Sequence, residues 1–148
     1  MNLIIEKFDV SMLDECVDLY MKTYAAEPWN EEWESRDVVV NYISKWISNN
    51  FFIGFVGKQN DRIIALCFGY EKPYTKGTEY YINDYIVDPD LQRQGIGIAL
   101  MEGVKKELAV LGIPAMMLST QRNIPAHAFY EKLDFFTLEN TIVMVGDV

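Results

Sequence analysis

Residues 92 to 97 read QRQGIG, directly after the strand-like run IVDP and directly before a helical pattern. A helix N-terminus leaves backbone N–H groups unpaired and carries partial positive charge, and glycine lets an anion come within reach of them. The loop is therefore an anion cradle built from backbone, with a plain tight turn as the alternative. Asp84 is a second group with chemistry in it. In YYINDYIV, strict alternation puts it on one face with Tyr80, Ile82 and Ile86, where lost hydration raises a carboxyl pKa toward that of a general base. An ion pair or a loop cap is the alternative. The third constellation is EPWNEEWES, where Glu27, Glu31, Glu32 and Glu34 interleave with Trp29 and Trp33. Carboxylates among indole faces suit a cationic ligand; a solvated acidic loop anchored by its tryptophans is the alternative.

Those residues need elements to hold them. Periodicity reads as a strand over Leu3 to Phe8, an N-cap at Ser11 with Asp14 three residues on, and a first helix over about 12 to 25. VVVNYISKWI gives a second helix, and FFIGFVG with RIIALCFGY form a hairpin around KQND. YYINDYIV is a fourth strand, after which Leu100, Met101, Val104, Leu108 and Leu111 keep a helical period until Gly112, a left-handed cap. AMMLST is a fifth strand, Pro125 to Leu133 a short helix, and FFTLENTIVMV holds a last strand or two. The order β-α-α-β-β-β-α-β-α-β is that of one mixed α/β (α+β) domain over residues 1–148.

Composition narrows the partners. Thirteen Lys plus Arg against twenty-two Asp plus Glu leave a net charge of −9, which repels nucleic-acid backbones and anionic lipid and favours a cationic small molecule. Cys16 and Cys67 lie in apolar stretches without CxxC spacing, and the single His127 forms no metal site with them. No metal is expected, and both thiols read as reduced core residues. The N-terminus has no basic n-region and nowhere do eighteen apolar residues run together, so a cytoplasmic protein is expected.

NIPAHAFYEKLDFF, residues 123 to 136, follows QRQGIG at an interval of one strand. The pair of motifs, Q-x-x-G-x-G and then N-x-x-A-x-x-F-Y-x-K-x-x-F, resembles the GCN5-related N-acetyltransferases (GNAT), and in particular small bacterial members similar to the aminoglycoside 6′-N-acetyltransferases. The resemblance implies a mostly antiparallel central sheet with helices on both faces and splayed fourth and fifth strands that admit the pantetheine arm of acetyl-CoA. Gln92, Arg93, Gln94, Gly95, Ile96 and Gly97 would then hold the pyrophosphate, and Ile86 and Val87 would offer backbone groups to the arm. Asn123 would contact the cofactor, or cap the helix that begins at Pro125. Tyr130 would stand near the sulfur, as a cofactor contact and as the proton donor to the thiolate; a core aromatic is its alternative. Asp134 departs from the glycine usual before the phenylalanine, and Asp tolerates the left-handed turn.

An acid at the offset of Asp84 also occurs in the aminoglycoside enzymes, which supports it as the base, with Glu79 acting through water as the alternative. His127, beside two alanines, is read as a packing or surface residue. Trp29, Glu32, Trp33 and Glu79 are the expected contacts of the acceptor, and the segment resembles the PWNExW of small bacterial acetyltransferases. The implied activity is transfer of an acetyl group to a primary amine of an aminoglycoside- or polyamine-like molecule. A peptide or protein acetyltransferase and an acyl-CoA-binding module without turnover are the alternatives. The apolar TIVMV near the C-terminus is an expected pairing edge for a homodimer.

Overall fold

In the computed structural model, which describes residues 2–148, the chain forms two compact units, Met1–Leu118 and Ser119–Val148. The first holds a five-stranded sheet in the order β1-β2-β3-β4-β5. Its strands are β1 Ile4–Lys7, β2 Phe52–Gln59, β3 Arg62–Tyr74, β4 Gly77–Val87 and β5 Met116–Met117, and its helices are α1 Leu13–Ala25, α2 Arg36–Ile47 and α3 Ile96–Val110. The first four strands pair antiparallel, and β5 lies parallel to β4. Asn60 and Asp61, both at positive φ, close the β2–β3 hairpin, the turn that matches the twist of two antiparallel strands.

Helices cover both faces. Cys16, Val17 and Leu19 of α1 and Val39 and Ile43 of α2 pack with Val56, Ile63, Leu66, Phe68 and Ile86 on one side. On the other, α3 buries Ile96, Leu100, Met101, Val104 and Leu108 against β1 to β4, close enough that a Cβ at Gly103 would lie 2.3 Å from Ile5. The helix ends as expected at Gly112, φ 75°. There the Ile113 amide donates to the Leu108 carbonyl and that of Gly112 to Ala109, the paired bonds of a left-handed C-cap. Both cysteines are free and buried, their thiols pushed up to about 12 by burial.

The start of α1 differs from the expectation. Asp9, not Ser11, is the cap, accepting from the Ser11 amide and opening a short 3₁₀ turn over Val10–Met12 that leads into the helix. The fifth strand is two residues long rather than six. Within the second unit, α4 spans Pro125–Lys132 and closes on Asp134 at φ 65°, where the Phe135 amide bonds back to the Tyr130 carbonyl. The left-handed turn therefore survives with Asp in place of glycine. No strand forms in 133–148, against expectation. The unit contains no strand edge for TIVMV to join, and an extended run without a ladder partner does not hold as a strand; Ile142, Val143, Met144 and Val145 stand exposed.

Candidate active site

Asp84 owes its position to an irregularity in β4. Phe68 of β3 faces Asp84 and Gly69 faces Ile82, so Asn83 is an extra residue, a β-bulge. Gly69 answers it from the partner strand: a Cβ there would stand 2.2 Å from the Tyr81 carbonyl oxygen. Because the extra residue breaks the alternation, Asp84 does not share a face with Tyr80 and Ile82. Tyr80 donates to the Ile53 carbonyl and meets Cys67, on the α3 side. Asp84 and Ile86 face α1 and α2, with Tyr81, which stacks on Tyr70.

There the carboxylate is 6% exposed and held by three donors. Tyr24 of α1 donates to Oδ1 at 3.2 Å, Tyr42 of α2 to Oδ2 at 3.0 Å, and Asn83 to Oδ2 at 3.2 Å. Burial raises the Asp84 pKa above the ordinary carboxylate value, and the three donors only moderate it. Tyr42 is pushed up to about 12, by burial and then by the charge of Asp84. Tyr20 packs 4.6 Å from the Tyr24 ring, 5.5 Å from Tyr42 and 6.2 Å from Trp33, and Trp29 lies 5.7 Å from Tyr24. A buried carboxylate inside an aromatic wall is suited to an ammonium: it offers charge, ring faces and a place for a proton.

The remaining acceptor candidates divide. Trp29 is exposed and Trp33 half-buried, both in contact with this wall. Glu32 is exposed. Glu79 pairs opposite Lys72 near the start of β4, five residues and roughly 16 Å of strand from Asp84. Tyr20, Tyr24 and Tyr42 were legible only as members of the apolar faces of two helices, and Asn83 only as a polar strand residue. The available signal was three tyrosines on the buried faces of two helices, since a buried phenol needs a partner for its hydroxyl.

The glycine loop lies at the other end of β4. Asp88, 4% exposed, caps the turn Pro89–Leu91 by accepting from the Asp90 amide. Lys22 of α1 bridges Asp88 at 2.7 Å and Asp90 at 2.8 Å. Burial alone would raise the Asp88 carboxyl; the Lys22 ammonium and the Asp90 amide outweigh it and hold the pKa below its ordinary value. Arg93 and Gly95 then take φ of 64° and 80°, and Gly95 is the N-cap of α3 with no side-chain cap. Gln92 to Gly95 are exposed, Ile96 is buried in the core and Gly97 half-buried. The first turn of α3 is thus a row of backbone donors left open, which fits a pyrophosphate. Tyr85 donates to the Gly97 carbonyl and ties this turn to β4.

The β4–β5 ladder stops at Tyr81 and Met117, so Ile82 to Val87 have no strand on their outer side within the first unit. The Asp88 amide donates to the Ile64 carbonyl at 2.8 Å, and by the alternation of an antiparallel ladder Asp84 and Ile86 also turn their backbone groups to β3. Val87 and Tyr85 turn theirs outward. Of the two residues expected to offer backbone to the pantetheine arm, Val87 turns its groups outward and Ile86 turns its toward β3.

Lys22→Met is expected to lower the unfolding free energy by about 1–2 kcal/mol, the exposure of Lys22 discounting a pair whose acid is buried. The Asp88 contribution is present above the ordinary carboxylate pKa and lost as pH falls through its depressed value. That of Lys22, whose pKa its two partners raise, is lost as pH rises through its own. Urea melts of both proteins should show the gap widest between about pH 4 and 10.

In the second unit, Asn123 has φ 64° and donates its backbone N–H to His127 Nδ1 at 3.2 Å. The N-cap of α4 is Ile124, with no side-chain bond, so Asn123 does not cap the helix. His127 Nε2 lies 3.4 Å from Glu131. Tyr130 packs between the rings of Phe129 and Phe135, at 5.3 and 5.4 Å. Among the described residues no group of three His, Cys, Asp or Glu is placed to hold a metal, and no helix is long and apolar enough to cross a membrane.

Comparison with known proteins gives the fold and the family. A possible acetyltransferase from Clostridium difficile 630 superposes with a TM-score of 0.83 at 20% identity, over 100% of this chain and 99% of that one. AAC(6')-Iy, in complex with the bisubstrate analog CoA-S-monomethyl-acetylneamine, gives 0.76 at 14% identity, over 100% of both chains. The aminoglycoside acetyltransferase meta-AAC0020 from an uncultured soil metagenomic sample, in complex with sisomicin, gives 0.74 at 21%, over 99% and 95%. No curated protein sequence matches this chain. The model of the acetyltransferase (GNAT) family matches residues 13–135, across both units, and the chain belongs to that family.

Proposed function

We propose that this acetyltransferase moves the acetyl group of acetyl-CoA to a primary amine of a small cationic molecule, aminoglycoside- or polyamine-like, by direct attack of the amine on the thioester. Acetyl-CoA supplies the activated acyl group. The chain's own residues bind, orient and manage protons. The reading is carried by Asp84, a buried carboxylate with a raised pKa, bonded by Tyr24 and Tyr42 beneath an aromatic wall that continues through Tyr20 to Trp33. A module that only retained acyl-CoA would have no use for a desolvated carboxylate kept at a cost in stability. The acidic balance of −9 and the aminoglycoside acetyltransferases among the structural neighbours support a cationic acceptor.

The pyrophosphate is assigned to the open amides of Ile96 and Gly97 in the first turn of α3, with Gln92, Arg93, Gln94 and Gly95 alongside, and the arm to the outer backbone of Val87. Asn123 and Tyr130 take their cofactor roles from the family resemblance, Tyr130 as the group that returns a proton to the departing thiolate. The acetyltransferase unit is read as residues 1–148.

The test is thiol release from acetyl-CoA against sisomicin, spermidine and a peptide with a free N-terminus. Turnover with sisomicin or spermidine is expected; turnover with the peptide alone would replace the acceptor class, and none with any amine would leave a binding module. On an accepted amine, Tyr130→Phe is expected to lower kcat by about 10²-fold or more with CoA affinity intact. Wild-type turnover would make Tyr130 a packing residue.

A further inference from the structure

Asp84 is nearly closed off from solvent. It is 6% exposed, and both of its oxygens already accept hydroxyl protons, Oδ1 from Tyr24 and Oδ2 from Tyr42. Each of these hydroxyls offers an ammonium proton a hydrogen-bonded route to the carboxylate. The two are not equivalent. The Tyr42 oxygen accepts from Asn83 Nδ2 at 3.1 Å while its hydroxyl donates to Asp84 Oδ2, so it is engaged as donor and acceptor. No donor to the Tyr24 oxygen is found among the described residues, so its lone pairs are open to a guest. Tyr24 also stands beside the loop that carries the exposed Trp29, held there by the Glu31 amide on its carbonyl.

We propose that Tyr24 is the proton relay between the acceptor amine and Asp84, and that Tyr42 is a positioning residue that fixes the carboxylate. The inference rests on the acetyltransferase reading with Asp84 as base. The bound ammonium gives one proton to the Tyr24 oxygen while the Tyr24 hydroxyl proton goes to Asp84 Oδ1. The neutral amine then attacks, the N–C bond forms and the C–S bond breaks, and the second proton that nitrogen sheds balances the one taken up by the thiolate. The electron pair of the C–S bond stays with sulfur. Tyr24 ends neutral and Asp84 protonated, so no phenolate is formed. That agrees with a phenol whose pKa is raised, by burial and then by the charge of Asp84. The titratable groups that face Asp84 are Tyr20 and Tyr24 from α1, Tyr42 from α2 and, through its charge, Glu31 from the loop after α1.

Tyr24→Phe and Tyr42→Phe both keep their rings, and two readouts separate their roles. The first is turnover on sisomicin or spermidine, whichever wild type uses. The second is the titration of the Asp84 carboxyl in the protein alone, taken from the infrared difference between each protein and its Asp84→Asn counterpart. Tyr24→Phe is expected to lower kcat about 10²-fold with KM within about twofold, because a transition-state proton path is lost rather than binding. Asp84 should still titrate below the working pH in that variant. The double variant with Asp84→Asn should be no slower than the slower single one, as for two links of one path. Tyr42→Phe is expected to move the Asp84 titration and the acid limb of the kcat profile upward together, with turnover recovering above that limb.

Wild-type kcat in Tyr24→Phe overturns the relay, as does a loss accompanied by an Asp84 carboxyl that no longer ionises at the working pH. If Asp84→Asn is itself fully active, the underlying base assignment has failed instead. Should Tyr24→Phe not fold, Tyr24→3-fluorotyrosine keeps the shape and lowers the hydroxyl pKa. The kcat on the accepted amine then departs from wild type if Tyr24 relays and equals it if it does not.

Discussion

Asp84→Asn is expected to lower kcat/KM by about 10²–10⁴-fold near neutral pH, the range of a lost general base, while CoA affinity by calorimetry stays at the wild-type value. In the wild type, activity should rise with pH through the Asp84 pKa, which burial places above the ordinary carboxylate value. In the variant that limb should vanish, and activity should climb at higher pH as more of the free amine is unprotonated in solution. Stability should move the other way. A carboxyl whose folded pKa is raised binds its proton more tightly in the native state, so stability falls as pH rises from the unfolded pKa to the folded one and stays lower above it. Asp84→Asn removes that cost, and its Tm at neutral pH is expected to equal or exceed that of the wild type. Parallel pH–rate profiles with unchanged kcat would take Asp84 out of the mechanism, and a raised KM alone would make it an acceptor contact.

Gly95→Val is expected to weaken CoA binding by roughly 5- to 150-fold, the equivalent of about 1–3 kcal/mol of strain for a non-glycine residue held in the left-handed region. Gly95 has φ 80°, and it sits at the N-cap of α3, outside the residues that α3 buries. The fold should therefore survive, and the loss should appear in calorimetric CoA affinity more than in the melting temperature. Unchanged affinity would show that the loop is only a turn.

The fold was readable because its elements are punctuated. Asn60–Asp61, Gly112 and the Pro125 start each announce a turn or a helix boundary by residue type, and the structure puts a hairpin, a left-handed cap and α4 there. The glycine loop was legible for the same reason. The failures share a different cause. TIVMV has the composition of a strand, but a strand exists only with a neighbour, and its unit supplies none. Asp84 could be picked out as a carboxylate in an apolar run, yet its face could not, because Asn83 looks like any polar strand residue and only pairing with β3 reveals it as extra. Tyr24 and Tyr42 were hidden in the helical periodicity, where a tyrosine and a leucine serve equally well. Their hydroxyls acquire meaning once two helices and a bulge converge on one carboxylate.

That extra residue also acts as a phase shift along β4. Before Asn83, even-numbered residues such as Tyr80 and Ile82 serve the layer beneath α3; after it, even-numbered Asp84 and Ile86 serve the layer of α1 and α2. The address of the carboxylate is thus set by parity, not by residue type. Deleting Asn83 would make the ladder regular, with Asp84 still opposite Phe68, whereas keeping Asn83 and pairing it opposite Phe68 would send the acid to the α3 side of the sheet, away from both tyrosines. Two family members could accordingly carry an aspartate at the same offset from the start of β4 and aim it at opposite layers, so transferring a role between them by that position alone requires counting bulges first.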